Sequence, residues 1–237
     1  FIMIKKILKL TAKLLVIVVA LFSIYLANLF LMKPYSIDHY LGKELVLGLV
    51  DSPEALTYVG ILDRFNWLTK HNSRLSIPEE NDLEEGIKEL EKGIKTLYKY
   101  KDSSLTDVQK ITKKIAIFDL ENNLKELKEF PYLDYPLNQI GGIHLNTIEF
   151  MSDMHPVRTK SEANDFIKRV ELIRDVYEGT LKDLEKQANS GIYPPEFVYG
   201  HVINQLNDFI NYSFEEHPLY TQFMMKVKEL NITDKEL

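Results

Sequence analysis

The sequence predicts an all-α protein, in which one N-terminal transmembrane helix is followed by an exported bundle of several helices that forms an incomplete domain. Three observations predict this. Beyond Pro34 the apolar residues recur at steps of three and four, the period of one helix face, while the alternation of a half-buried strand is hard to find. Near the N-terminus a single uncharged run stands behind a cluster of lysines. The chain of 237 residues carries no cysteine, which removes disulfide scaffolds, Cys-ligated zinc, iron–sulfur clusters and thiol nucleophiles and leaves His, Asp and Glu as the only metal ligands.

The first segment, residues 1–33, is read as a lysine flank and a membrane anchor. Lys5, Lys6, Lys9 and Lys13 precede the run from Leu14 to Met32, which has no charge and is closed by Lys33 and Pro34. As a helix that run is about 28 Å long, close to the roughly 30 Å of a bilayer's hydrocarbon core. Ser23 and Asn28 are its only strongly polar interruptions, so a simple anchor fits better than an intramembrane ion site. Positive flanks stay cytoplasmic, which makes the expected molecule a single-pass membrane protein with residues 34–237 periplasmic or on the cell surface. The run is longer than the apolar region of a secretory signal, and bulky Tyr25 stands two residues before the best cleavage candidate, Ala27; an uncleaved signal anchor is therefore expected.

Within residues 34–237, short helices are expected at about 37 to 49 and 53 to 59, the second with Asp51 or Ser52 as cap and Pro53 in its first turn. Leu83, Ile87, Leu90, Ile94 and Leu97 form one stripe of a helix from about Glu79 to Lys101, with acids and lysines opposite. Ser104 followed by Asp107 reads as the next helix start, and Val108, Ile111, Ile115, Phe118, Leu120, Leu124 and Leu127 continue an apolar stripe toward Phe130. These two helices should pair as an antiparallel hairpin with solvated charged faces. A third long helix begins at the capping-box pattern Thr159-Lys160-Ser161-Glu162, buries Phe166, Ile167, Val170, Ile173, Tyr177, Leu181, Leu184 and Ala188, and ends at Gly191 before Pro194-Pro195. Pro195 opens a helix carrying Phe197, Val198, His201, Val202, Gln205, Leu206 and Phe209, and a last helix runs from about Pro218 to Leu230.

Between the hairpin and the third helix the texture changes. Residues 130–158 hold three prolines, the pair Gly141-Gly142 and several aromatics without a sustained period. A loop this apolar is expected to pack into the protein body, and it is the leading candidate for a functional surface, cleft or interface, with Tyr135, Asn138, Gln139, Gly141, Gly142, His144 and His155 as its candidate residues.

Recognisable chemistry is sparse. None of the six histidines belongs to a His-Glu-x-x-His helix, Gly141-Gly142 lacks the Lys-Ser/Thr of a phosphate loop, and no G-x-S-x-G elbow occurs. His144, Glu149, Asp153 and His155 are the densest ligand-type cluster, but their spacing suits capping and hydrogen bonding better than one metal-binding face. With 29 Lys+Arg against 35 Asp+Glu, a nucleic-acid partner is not expected. The sequons Asn211-Tyr212-Ser213 and Asn231-Ile232-Thr233, and the ending Asp234-Lys235-Glu236-Leu237, whose first two letters are exchanged relative to a lumenal retention signal, carry less weight than the anchor.

Three stretches carry a family resemblance: Asp51-Ser52-Pro53-Glu54-Ala55-Leu56-Thr57 ahead of Gly60, Tyr135-Pro136-Leu137-Asn138-Gln139-Ile140-Gly141-Gly142-Ile143, and Ser190-Gly191-Ile192-Tyr193-Pro194-Pro195-Glu196-Phe197-Val198, with Met154-His155-Pro156 and the helix from Ser161 to Gln187 in between. In this order they resemble the bacterial family catalogued as domain of unknown function 885, over roughly residues 36 to 230. The resemblance implies a mostly α-helical, exported protein like a zinc metallopeptidase, a hydrolase whose presumed motif, His-Glu-x-x-Pro-Gly-His-His, lies on a C-terminal helix. That motif is absent from this sequence. The resemblance therefore transfers no catalytic residue, cofactor or metal ligand to this chain; zinc is expected in a full-length relative. The expected function is the membrane-anchored N-terminal helical part, a fragment inactive alone, of such a metallopeptidase. The alternative is a complete, non-enzymatic, membrane-anchored binding module. Expected partners are the lipid bilayer, the missing C-terminal half and a peptide substrate.

Overall fold

A computed structural model describes residues 2–230, with side chains from Lys9 onward. Asn231, Thr233, the Asp234 to Leu237 ending, and the side chains of Lys5 and Lys6 lie outside the described residues. The chain is 77% helical with no strand among the described residues, so the all-α expectation holds. Among those residues ten α-helices follow in order: α1 Ile2–Leu31, α2 Ile37–Asp51, α3 Pro53–Val59, α4 Asn66–Thr69, α5 Asp82–Tyr98, α6 Asp107–Glu129, α7 Ile143–Glu149, α8 Lys160–Asn189, α9 Glu196–Asn211 and α10 Pro218–Glu229. They fall into two compact units, Phe1–Leu47 with Glu89–Asn123, and Gly48–Lys88 with Leu124–Leu237.

In unit 1, the stretch Lys9–Leu31 of α1 is the one helix among the described residues long and apolar enough to cross a membrane. Its two polar interruptions are satisfied locally. The Ser23 hydroxyl donates to the Val19 carbonyl at 2.8 Å, and buried Asn28 closes the helix end by donating to Lys33 O at 3.1 Å and accepting from Tyr35 N at 3.0 Å. Ile37 and Tyr40 of α2 then pack with Leu97 and Tyr100, with Leu41, Leu105, Ala116, Ile117 and Leu120 around them. Tyr100 ties this core to the end of α1: its hydroxyl donates to Pro34 O at 2.7 Å and the Lys33 ammonium lies 4.2 Å from its ring centre. Burial pushes the phenols of Tyr100 and Tyr40 up to about 12, with Glu44 adding to the effect at Tyr40.

Helix α6 departs from its expected facing. Thr106 and Gln109, rather than Ser104, form the reciprocal cap, each accepting from the other's backbone N–H. Val108, Ile111, Ile115 and Phe118, expected in the core, are 60–74% exposed. The inward face carries Leu120, as expected, but with Ala116, Ile117 and the stem of Lys113, whose ammonium reaches Tyr100 O at 2.7 Å and Asp102 at 2.8 Å. Two apolar stripes compete on this helix, and the one that meets Leu97 and Tyr40 is buried. The hairpin itself forms: the Tyr98 hydroxyl donates to Glu121 at 3.0 Å, and Gly93 lies against Leu120.

In unit 2, α3 starts and stops as the sequence predicts, with Ser52 accepting from Ala55 N at 3.2 Å and Gly60 at φ 68 closing the helix. Helix α8 also ends as expected: Gly191 has φ 73, and Ile192 N donates to Gln187 O at 3.1 Å. At its start Thr159 caps Glu162 N, but the Glu162 carboxylate reaches back to Arg158 N at 2.6 Å rather than to Thr159. The apolar core joins Met151, Val157, Ala163, Phe166, Leu219, Phe223 and Val227, with Phe166 and Phe223 stacked at 4.8 Å. Val170 and Leu181, expected inside, are exposed; α8 turns a partly polar seam inward instead, with Asp165, Arg169, Thr180 and Gln187 buried.

The centre of that seam is Arg169, with no exposed surface. Its Nε donates to Arg74 O at 2.8 Å, Nη1 to His155 Nδ1 at 2.8 Å, and Nη2 to Thr57 Oγ1 and His71 O at 2.8 Å each. The Phe150 ring lies 4.8 Å from its central carbon. One side chain thus joins α3, the turn at 71–74, the π-helical turn Phe150–Met154 with His155, and α8. Replacing it with an apolar residue leaves buried carbonyls without donors at about 1–3 kcal/mol each. Arg169→Met is expected to lower the unfolding free energy of the full chain by about 3–5 kcal/mol, read as the shift of its urea transition in detergent by circular dichroism.

Candidate functional site

The apolar stretch after α6 folds into a knot held by backbone and amide hydrogen bonds. Asn138 organises it: its Oδ1 accepts from Ile140 N at 3.0 Å and Gly141 N at 2.8 Å, and its Nδ2 donates to Tyr135 O at 3.1 Å. Gly142 N returns to Asn138 O at 3.2 Å and Ile143 N to Pro136 O at 2.8 Å, launching α7. A side chain at Gly142 has no room, because a Cβ there meets Asn138 N at 2.6 Å and O at 2.7 Å. Helix α8 pins the knot's entrance through buried Gln187, which donates to Tyr132 O at 2.6 Å and Asp134 O at 2.8 Å. From α9, Gln205 donates to Gln139 O at 3.1 Å and accepts at 2.9 Å from Nε2 of buried His144. The Tyr135 hydroxyl donates to Tyr193 O at 3.2 Å.

The structure therefore brings Tyr135, Asn138, Gln139, Gly141, Gly142 and His144 together and places His155 apart from them, in the Arg169 network. Sequence reasoning missed Arg169 and Gln187 and read Gln205 only as one member of a helix face. Their signal was a polar residue at a core position of a helix, which marks a buried hydrogen-bonding role.

Beside the knot lies an apolar groove of about 380 Å³ between the end of α8 and α9. Leu184 and Ala188 form one wall, Val202, Ile203 and Leu206 the other, with Leu137 from the knot and Tyr193 and Tyr199 also lining it. Tyr199, Ile203 and Ile210 leave an exposed apolar strip on α9, and Leu181 continues the α8 side outward. No acid, lysine, arginine or histidine lines the groove, so it offers shape and apolar surface rather than proton transfer.

Four of the six histidines, His71, His144, His155 and His217, are engaged in holding the fold. His155 donates through Nε2 to Glu162 O at 3.2 Å and accepts the Arg169 guanidinium at Nδ1, which fixes its neutral tautomer. Burial, aided by Arg169, lowers its pKa to about 3. Buried His71 sits between the Thr69 hydroxyl at 2.6 Å and the Asp63 carboxylate at 3.3 Å. His217 caps α10, its Nδ1 accepting from Leu219 N, and burial lowers its pKa. Among the described residues no group of three or more His, Asp or Glu side chains is placed to hold a metal. The zinc implied by the resemblance does not fit the residues present: both ring nitrogens of His155 are committed, and His144 presents to Gln205 rather than to a second ligand.

Compared with known proteins, residues 53–236 match the family described as "Bacterial protein of unknown function (DUF885)". No curated protein and no solved structure matches the chain.

Two outcomes follow from the geometry. Gly142→Ala is expected to destabilise the chain by about 1–3 kcal/mol, because Asn138 must move to admit the methyl group; thermal unfolding in detergent checks it. His155 is neutral when folded down to about pH 3 and protonates near its ordinary value of 6.5 when unfolded. Between those values the unfolded chain binds the extra proton, so this group's contribution is present above about pH 6.5 and is lost as pH falls, by about 1.4 kcal/mol per pH unit. His155→Gln should flatten that slope relative to the parent chain in urea unfolding measured between about pH 4 and about pH 6, inside the window.

Proposed function

Because the chain belongs to the DUF885 family of bacterial proteins, we propose that it acts as the membrane-anchored, metal-free helical part of a zinc-metallopeptidase-like protein, a body that holds an apolar segment of a substrate or protein partner. The observation that carries this reading is the groove between α8 and α9, which is apolar, half open and lined without a carboxylate, an imidazole or a cation. Polypeptide segments carrying the family's presumed zinc motif would supply the ion and its activated water; this chain would supply binding and orientation. Exposed apolar faces on α6 and α9 support a body that works against further protein surface. The exposed apolar length of α1 supports the anchor, and the lysines before it support a cytoplasmic N-terminus with the remaining chain exported.

A second reading, a self-sufficient binding module with no enzymatic partner segment, is favoured by the groove's being built wholly from unit 2. Both readings require binding without chemistry in this chain.

The full chain in phospholipid nanodiscs, supplied with zinc or with a chelator, is expected to leave fluorogenic peptides intact. Zinc-dependent hydrolysis that the chelator abolishes would contradict the metal-free assignment. Ile203→Glu is expected to weaken binding of a fluorescein-labelled leucine-rich peptide about tenfold, the equivalent of about 1.4 kcal/mol of lost apolar contact. Unchanged affinity would remove the groove from the account.

A further inference from the structure

Unit 1 contains a cleft at the membrane exit of the chain that neither the groove nor the family match explains. Tyr25, Leu29 and Phe30 of α1 line one side, and His39, Val46 and Leu47 of α2 the other, around about 280 Å³. Helix α2 uses one face, with Ile37 and Tyr40, for the unit 1 core, and turns the opposite face to this cleft. Val46 in the lining and Leu45 beside it are 56% and 66% exposed, and Leu31 at the end of α1 and Tyr35 just after it are 82% and 77% exposed. Apolar surface of α1 thus faces apolar surface of α2 across the cleft, with Asp38, His39 and Lys43 as the polar part of its lining.

Depth fixes what covers this surface. Tyr25 lies six residues before Leu31, the last of α1, about 9 Å along the helix axis. If α1 spans with its whole apolar run, the α2 residues that share a cleft with Tyr25 and Leu29 lie at the depth of lipid acyl chains rather than above the headgroups. Raising α1 by those turns would draw Lys13, and behind it Lys9, into hydrocarbon from the opposite side, which their ammonium groups resist. The two charged groups in the cleft's lining, Asp38 and Lys43, are each paired or hydrogen-bonded, which is compatible with such a seat. Lys43 pairs with Glu44 at 2.8 Å, and the Asp38 carboxylate accepts from Gln109 Nε2 at 2.6 Å and from the Ser36 hydroxyl at 3.4 Å. Tyr35 and Lys33, at the end of the run, are residue types that favour the interface between hydrocarbon and water.

We propose that unit 1 is seated in the bilayer leaflet on the exported side, with phospholipid acyl chains filling the cleft between the end of α1 and α2. This rests on the reading of α1 as a membrane anchor. The seat makes α2 a second membrane contact, lying in the interface rather than spanning.

The absence of cysteine makes the test direct, since a single introduced cysteine carries the only label. Full-length chains bearing Val46→Cys, Ile17→Cys or Lys182→Cys are spin-labelled and reconstituted in vesicles of phosphatidylethanolamine and phosphatidylglycerol. Collision with oxygen, which concentrates in lipid, is compared with collision with a water-soluble nickel chelate. The label at 46 should lose nickel collisions and keep oxygen collisions, as the label at 17 does, while the label at 182 shows the reverse. A nickel-accessible label at 46 beside a lipid-exposed label at 17 overturns the seat and leaves the anchor standing. A label at 46 shielded from both reagents means that protein covers the cleft, which also overturns the proposal. A nickel-accessible label at 17 overturns the anchor and the seat together.

Discussion

Taking a guanidinium out of water costs several kcal/mol, and unit 2 does so at Arg169 without a carboxylate in contact. The loss is offset by hydrogen bonds to three backbone carbonyls, those of Arg74, His71 and, at 3.4 Å, Pro53, to a hydroxyl and an imidazole nitrogen, and by the face of Phe150. Burial lowers the pKa of Arg169 to about 10, while Glu54 and Asp165 oppose that fall, so the group remains a cation at neutral pH. From α8 it reaches partners on α3, the turn before α5 and the π-helical turn with His155, elements far apart in the chain. A flat, forked donor with fixed angles can satisfy such a set at once; an ammonium on a flexible stem cannot. The position of every element that touches the Arg169 head is therefore coupled to the others.

This constraint explains why residues that look like chemistry serve structure. His155 must offer a lone pair to Arg169, so it stays neutral and unavailable as a ligand. Thr57 Oγ1 accepts from Arg169 and lies 2.8 Å from Asn72 Oδ1, while Asn66 accepts from Asn72 N and donates to Asp165 at 2.8 Å. Thr57, Asn66 and the Asn72 Oδ1 are engaged in this way, while the Asn72 Nδ2 is buried without a partner. Beside this network unit 2 presents two open surfaces, the apolar groove between α8 and α9 and a second pocket of about 370 Å³ lined by Glu79, Asp82, Asp134, Asp183 and Lys186.

Much of the architecture was legible because local signals were strong. Ser52 with Pro53, Thr159 with Glu162, and Gly191 before Pro194 each mark a helix end through a backbone group that needs a partner, and each end forms where the sequence places it. Facing was less legible. Helix α6 carries two apolar stripes, and only packing against Leu97 and Tyr40 decides between them. The apolar residues of α8 point to only part of its buried side, because the inward seam includes Arg169, Thr180 and Gln187, polar residues that a search for apolar side chains passes over although their spacing puts them on the same face. The knot at residues 135–144 is legible as a packed loop, but its dependence on Gln187 and Gln205 rests on contacts across more than fifty residues, which no local pattern encodes.

The central claim is that Arg169 couples distant segments into one cooperative unit. Hydrogen exchange of the full chain in detergent, followed by mass spectrometry, tests it most directly in Arg169→Lys, which keeps the charge and loses the fork. The account expects residues 53–57, 71–74 and 150–155 to lose protection together, with unit 1 unchanged. Loss confined to α8 around position 169, with the other segments as protected as before, would contradict it.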